Sequence, residues 1–246
     1  MISKALLNWH ESHFQGGDGI VVAADENQEW FLKWWWENYS KHNTYPVTFF
    51  DIGMSKSARH WCESKGNVLS FSFPKNWIKD KKYIDPQAIK EWELRYQGNL
   101  WEGRKQWFSK PYILLQSPYQ RSIWMDLDCE VRNSLKKLFD FCNEGDGFSV
   151  LKLELPDSDI YSAGVIVSRR YSPVVKKWAE NIYKDNAKHF GDENILIELL
   201  SKEKYKITPY SLLYNWPTFI PQNVDTVIRH HIGGYGKTQI LKGLNV

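Results

Sequence analysis

Apolar residues in the first part of the chain fall in short unbroken runs, separated by stretches where they recur at helical spacing. Gly19–Ala24, GIVVAA, is one such run, the pattern of a strand buried on both faces of a sheet. Asp25 follows it and can cap a helix over about 28–41, with Trp30, Trp34 and Tyr39 near one face. Val47–Ile52 predicts a second buried strand. Ser55 then caps a helix that Gly66 terminates, and Asn67–Phe73 predicts a third strand. This rhythm argues for a parallel sheet with right-handed crossovers. From Pro74 to about Gln106 the rhythm breaks, and the segment reads as a helical or irregular insertion. Beyond it, Lys110–Gln116 predicts a helix with Pro111 in its first turn, and IWMDLDCEV, Ile123–Val131, predicts a strand. Ser134–Asn143, Ser172–Lys188 and Glu193–Leu200 predict helices. Phe148–Leu153, Gly164–Ser168 and Val227–Ile232 predict strands. With no linker or repeat, residues 1–246 are expected to form one α/β domain, a mostly parallel central sheet flanked by helices.

Composition narrows the ligand class. A 42% hydrophobic and 25% charged chain is an ordinary soluble globular one. Its net charge of +3 carries no basic run, so no nucleic-acid partner is expected. The 13 Trp, 13 Tyr and 12 Phe are more than a core of this size needs, and aromatic rings stack on bases and sugars. Cys62, Cys129 and Cys142 lack metal-motif spacing and read as free thiols of a reducing compartment. There is no signal-peptide core and no run of ~18 apolar residues, so no membrane span; a cytoplasmic protein is expected.

Two constellations carry chemistry. In a strand, Asp126 and Asp128 share a face and repel unless a cation lies between them. Oxygen ligands at the C-terminal end of an inner parallel strand suit Mg²⁺ or Mn²⁺ with a diphosphate completing the shell. The alternative is a pair that merely ends the strand. A haloacid-dehalogenase-type phosphatase fits poorly, because it wants such a pair near its start with Thr or Val where Glu130 stands. Near the C-terminus, His231, Gly234 and Lys237 stand as H-x-x-G-x-x-K in HIGGYGK: a metal-ligating nitrogen, closely approaching backbone and a point charge for phosphate. On the expected strand, His230 turns to the opposite face and reads as structural. Cys129 reads as a packed thiol, and Trp34–Trp36 as packing rather than a sugar platform. Tyr161, Tyr210, Tyr214 and Trp216 are candidates to stack on an acceptor.

In this combination the chain resembles GT-A-fold glycosyltransferases, and among them is most similar to glycosyltransferase family 8. VVAADEN (Val21–Asn27), DIGMS (Asp51–Ser55), WMDLDCEVRNSL (Trp124–Leu135) and HIGGYGK carry the resemblance in order. YSAGV (Tyr161–Val165) and GDENIL (Gly191–Leu196) match more loosely. The resemblance implies a single Rossmann-like GT-A domain in which Asp126, Asp128 and His231 ligate Mn²⁺ or Mg²⁺. It implies that Ala24, Asp25 and Asn27 hold the base and ribose of a UDP-sugar, with Asp126, Gly234 and Lys237 toward its phosphates. Lys110 would neutralise the leaving diphosphate, and Asp192, Ser162, Ala163 and Gly164 would meet the sugar or acceptor. Three positions depart from the family pattern: Ser162 replaces Asn, Glu193 replaces Gln, and Thr238-Gln239 replaces Pro-Trp. Glu193 is then a candidate carboxylate beneath the anomeric carbon, or simply a helix-start glutamate.

The expected activity is transfer of a sugar, with retention, from a nucleotide-sugar donor to the hydroxyl of a glycan, lipid-linked glycan or protein. Lys237 stands nine residues from the end of the sequence, which leaves no room for a basic, aromatic membrane-docking tail. A non-catalytic nucleotide-sugar or glycan-binding protein is the alternative on the same fold.

Overall fold

The structure, a computed structural model, describes residues 8–71, 73, 77–96, 100–154 and 159–244. Its central sheet has six strands in the order β3-β2-β1-β4-β7-β6. β1 (Asp18–Ala24) pairs in parallel with β2 (Val47–Asp51) and β4 (Arg121–Met125), and β2 with β3 (Asn67–Ser70). β7 (Asp159–Arg169) runs antiparallel to β4 and to β6 (Phe148–Glu154), so five of six strands share one direction. The expected mostly parallel sheet is what the chain forms.

The unbroken apolar runs are explained by two cores, one on each face. Val21, Ala23 and Trp124 face Phe108, Tyr112 and Trp178. Ile20, Val22 and Met125 face Phe31, Trp35 and Phe139. α1 (Phe31–Ser40) covers the second face with Trp35 fully buried and stacked on Tyr39. Ser55 caps α2 (Lys56–Glu63), its Oγ accepting from the Ala58 N–H at 3.2 Å. Tyr161 and Tyr210, expected as acceptor platforms, are buried in the two cores. The Tyr210 hydroxyl donates to the Val165 carbonyl at 2.6 Å.

The insertion is helical over its described residues; 74–76 and 97–99 lie outside them. α3 (Pro86–Arg95) starts at Asp85, whose carboxylate accepts from the Gln87 and Ala88 N–H groups. α4 (Leu100–Leu114) runs straight through Pro111, which the sequence placed in a first turn. Proline removes one helix hydrogen bond, but α4 is held from outside. Phe108, Tyr112, Ile113 and Leu114 are fully buried, and Arg104, 1% exposed, donates to the carbonyls of Asn186, His189 and Phe190. The clamp binds the insertion to the loop between α5 (Pro173–Asp185) and α6 (Asp192–Lys202).

Two other expectations are corrected. The predicted helix at 134–143 is a 3-10 helix, Lys136–Cys142. The glycine-rich end expected as a loop begins α7 (Gly233–Gly243). Gly233 has φ +70, and a Cβ on Gly236 would lie 2.1 Å from the His231 carbonyl carbon. The glycines thus permit a sharp turn from β9 (Ile228–His230) into a helix packed backbone to backbone against it. β9 forms a second sheet with β5 (Cys129–Val131) and β8 (Trp216–Pro217), in the order β5-β9-β8. No helix among the described residues is long and apolar enough to cross a membrane.

Candidate active site

β1 ends at Ala24 and hands Asp25 to a turn, in which Asp25 Oδ1 accepts from the N–H groups of Asn27 (2.9 Å) and Gln28 (3.1 Å). The other carboxylate oxygen accepts from Gln106 on α4, whose carbonyl oxygen in turn accepts from the Gln28 side chain. The insertion is thereby tied across the end of the sheet.

β4 ends at Met125, and the chain turns before β5, with the Cys129 N–H donating to the Asp126 carbonyl at 3.1 Å. Asp126 and Asp128 therefore sit in a turn, not on one face of a continuous strand as expected. Asp126 accepts from Trp124 Nε1 (2.8 Å) and Lys110 Nζ (3.1 Å). Lys110, 4% exposed, also reaches the Ala163 carbonyl (3.2 Å) and pairs with Asp192 at 3.3 Å.

Burial alone would push the Lys110 ammonium down, but Asp126, Asp192 and Glu193 outweigh it and hold the charge firmly on. Burial lifts the Asp192 carboxyl to about 7 despite Lys110, and raises Asp126 with help from Asp128. For Asp128 the upward push of burial is overcome by His230, and for His230 the downward push of burial is overcome by Asp128.

The histidines exchange their expected roles in space. His230 Nε2 lies 3.3 Å from Asp128 Oδ1, while Nδ1 lies 2.8 Å from Asn215 Oδ1. His231 turns away: its Nε2 is 3.1 Å from Glu130 Oε2, and the Trp34 ring meets it edge-on at 5.5 Å. Adjacent residues do point oppositely, as the sequence implied. The turn at 126–128 decides which ring meets the aspartates, and periodicity does not show that turn. The doublet was the available signal, since H-x-x-G also reads from His230 to Gly233.

The residues toward the expected sugar position are brought together. Glu193, in the first turn of α6, accepts from the Ala163 N–H at 2.7 Å and from Ser162 Oγ at 3.2 Å. Gly164 gives its carbonyl to the Asp126 N–H at 2.8 Å and lies under the His230 ring. A Cβ there would fall 2.1 Å from His230 Cε1. Gly164→Ala is therefore expected to push the ring off Asp128 and to destabilise the fold by about 1–3 kcal/mol, read by urea unfolding; unchanged stability would show that the ring has room.

A cavity of about 70 Å³ is lined by Lys110, Asp126, Asp128 and Lys237. Beside it a cavity of about 300 Å³ is lined by Asn27, Trp30, Tyr96 and Gly234. Gln28, Phe31, Gln106 and Lys237 border both. The donor atoms fit a hard cation. Ligand atoms of Asp128, Cys129 and His230 lie within 4.8 Å of one another. Burial, Asp128 and Asp126 push the Cys129 thiol well up, so it stays protonated and leaves oxygen and imidazole donors. Asn215 and Gln106 were missed by sequence reasoning, since neither lies in a recognisable motif.

No protein-family model matches the sequence, and no curated protein matches it. The fold is that of the GT-A glycosyltransferases. The galactosyltransferase LgtC, solved with donor and acceptor sugar analogues, superposes with a TM-score of 0.60 at 15% identity, over 93% of this chain and 96% of that one. The glycosyltransferase GlyE of Streptococcus pneumoniae TIGR4 gives 0.58 at 15% identity, over 89% of this chain and 56% of that one. Mouse xyloside xylosyltransferase 1 gives 0.55 at 12% identity, over 87% and 97%.

Proposed function

We propose that this chain is a metal-dependent retaining glycosyltransferase that transfers a sugar from a UDP-sugar to an acceptor hydroxyl. The observation that carries the reading is the gathering of Asp126, Asp128, His230 and Lys110 at the C-terminal ends of β1 and β4, next to the divided cavity. Open α/β sheets place ligands at this edge.

Asp126, Asp128 and His230 would hold Mn²⁺ or Mg²⁺; His230 takes the place first expected for His231, whose ring is engaged with Glu130. Such a cation would offset charge on the departing diphosphate. Ala24, Asp25 and Asn27 border the space for the base and ribose, and the aromatic-walled outer cavity has room for them. Lys237 and the first-turn amides around Gly234 face the phosphate position, where helix N–H groups lack intrahelical acceptors. Lys110 keeps its positive charge beside the same position and opposes charge building on the leaving group.

Asp192 is poised to bond the transferred sugar. Glu193, carrying two hydrogen-bond donors on one oxygen, is the carboxylate we place beneath the anomeric carbon, where positive charge develops. Ser162, Ala163 and Gly164 form the wall between them.

The test is thermal melting with UDP, GDP and CMP, each with and without Mn²⁺. The expected result is stabilisation by UDP and Mn²⁺ together, about 2.7 kcal/mol at 100 times the dissociation constant, and by no other pairing. No shift with any nucleotide would overturn the reading.

A further inference from the structure

The reading above leaves a buried carboxamide unexplained. Asn215, 1% exposed, sits between the 3-10 turn Leu212–Tyr214 and β8. Its Oδ1 faces His230 Nδ1 at 2.8 Å and its Nδ2 donates to Ser162 Oγ at 3.2 Å. Ser162 Oγ meets Glu193 Oε1 at 3.2 Å, and His230 Nε2 meets Asp128 Oδ1 at 3.3 Å. One line of contacts thus runs from Glu193 through Ser162, Asn215 and His230 to Asp128.

The donors along this line are determined by valence. The Asn215 NH₂ group can only donate, so Ser162 Oγ accepts from it and is left to donate its single proton to Glu193. Asn215 Oδ1 can only accept, so His230 Nδ1 must carry a proton. The lone pair of the neutral ring is then on Nε2, the nitrogen aimed at Asp128. One side chain with a fixed order of donor and acceptor therefore selects the histidine tautomer that can bind a cation, and also supplies the bonded hydroxyl of Glu193. Ser162 and Glu193, two of the three departures from the family pattern, touch each other within this line.

We propose that Asn215 is a positioning residue that couples the cation site to the Glu193 carboxylate. The inference rests on the proposed metal-dependent transfer. It adds that the two halves of the site are aligned by one amide, and that its two ends can be separated by substitution. Asn215→Ala removes both ends. Asn215→Asp keeps an acceptor for His230 Nδ1 but cannot donate to Ser162, and Ser162→Ala cuts only the Glu193 arm.

The experiment measures Mn²⁺ binding to the free protein by calorimetry and, separately, UDP release from UDP-hexoses, for the native chain and the three variants. Their folding is checked by melting. Asn215→Ala is expected to weaken Mn²⁺ binding about 10- to 100-fold. Asn215→Asp and Ser162→Ala should bind Mn²⁺ within about twofold of native, yet release UDP about tenfold more slowly at unchanged donor KM. Native-like Mn²⁺ binding by a folded Asn215→Ala protein overturns the proposal, and so does a loss of Mn²⁺ affinity in Ser162→Ala equal to that in Asn215→Ala. A native chain that binds no Mn²⁺ overturns instead the metal-dependent reading beneath it. If Asn215→Ala fails to fold, Asn215→Asp decides by itself: weakened Mn²⁺ binding in that variant counts against the coupling.

Discussion

Asp128→Ala is expected to abolish nucleotide-dependent stabilisation and to cut transfer by a factor of 10³ or more while leaving the fold intact. The factor corresponds to about 4 kcal/mol of transition-state stabilisation, the scale at which loss of a bound cation acts on a departing diphosphate. The fold survives because Asp128 contributes little to the cation-free protein. Its carboxylate raises Asp126 by repulsion, and its favourable contact is with His230, which keeps Asn215 after the substitution. Relief of one interaction and loss of the other nearly cancel, and the expected change in unfolding free energy is below about 1 kcal/mol. The measurements are UDP release from UDP-hexoses and thermal melting with UDP and Mn²⁺. A variant that keeps the UDP and Mn²⁺ shift would place the cation elsewhere or make the aspartates structural. A variant that unfolds would mean that Asp128 stabilises the turn itself.

The fold was legible because continuous apolar runs such as GIVVAA and VTFFDI can only be strands covered on both faces. The two carboxylates, the late histidines and Lys237 were legible as motifs, and the structure gathers them around one cavity. Hidden from the sequence was the path of the backbone between them. A turn at 126–128 and a helix in place of a glycine loop follow from tertiary packing: Gly236 lies against the His231 backbone, and β9 adds to β5 rather than to the main sheet. That packing decides which histidine faces the aspartates. The Asn215 contact was hidden for a related reason. It joins residues 15, 53 and more positions apart, with no local periodicity to report it. The clamp of Arg104 on the carbonyls of 186, 189 and 190 is equally non-local. Without it, a helix containing Pro111 has no evident reason to persist.

Lys110→Met is expected to be the most damaging single substitution for stability, and its cost should depend on pH in a defined direction. Methionine is close in volume, so little cavity is made and the effect is mainly electrostatic. Lys110 stands 3.1 Å from Asp126 and 3.3 Å from Asp192, with side chains 5%, 24% and 5% exposed. Removing one partner of a buried ion pair typically costs about 3–5 kcal/mol, and here two carboxyls lose their counter-charge together. In the native protein Lys110 is held above 10.5, so its contribution is complete below that pH and is lost only in strong alkali. In the variant the burden passes to Asp192, already raised to about 7 with the lysine present, and to Asp126. A carboxyl whose folded value lies above its unfolded value stabilises at low pH and loses that contribution as pH rises from about 4 through its folded value. The gap between native and variant should therefore be small near pH 5 and approach the full penalty at pH 8, as measured by urea unfolding at both. Adding Asp192→Asn to Lys110→Met removes one of the stranded charges and should restore about half of the loss at pH 8 and little at pH 5. Strict additivity of the two substitutions at both pH values would show that Lys110 and Asp192 are not coupled, and that the lysine serves Asp126 alone.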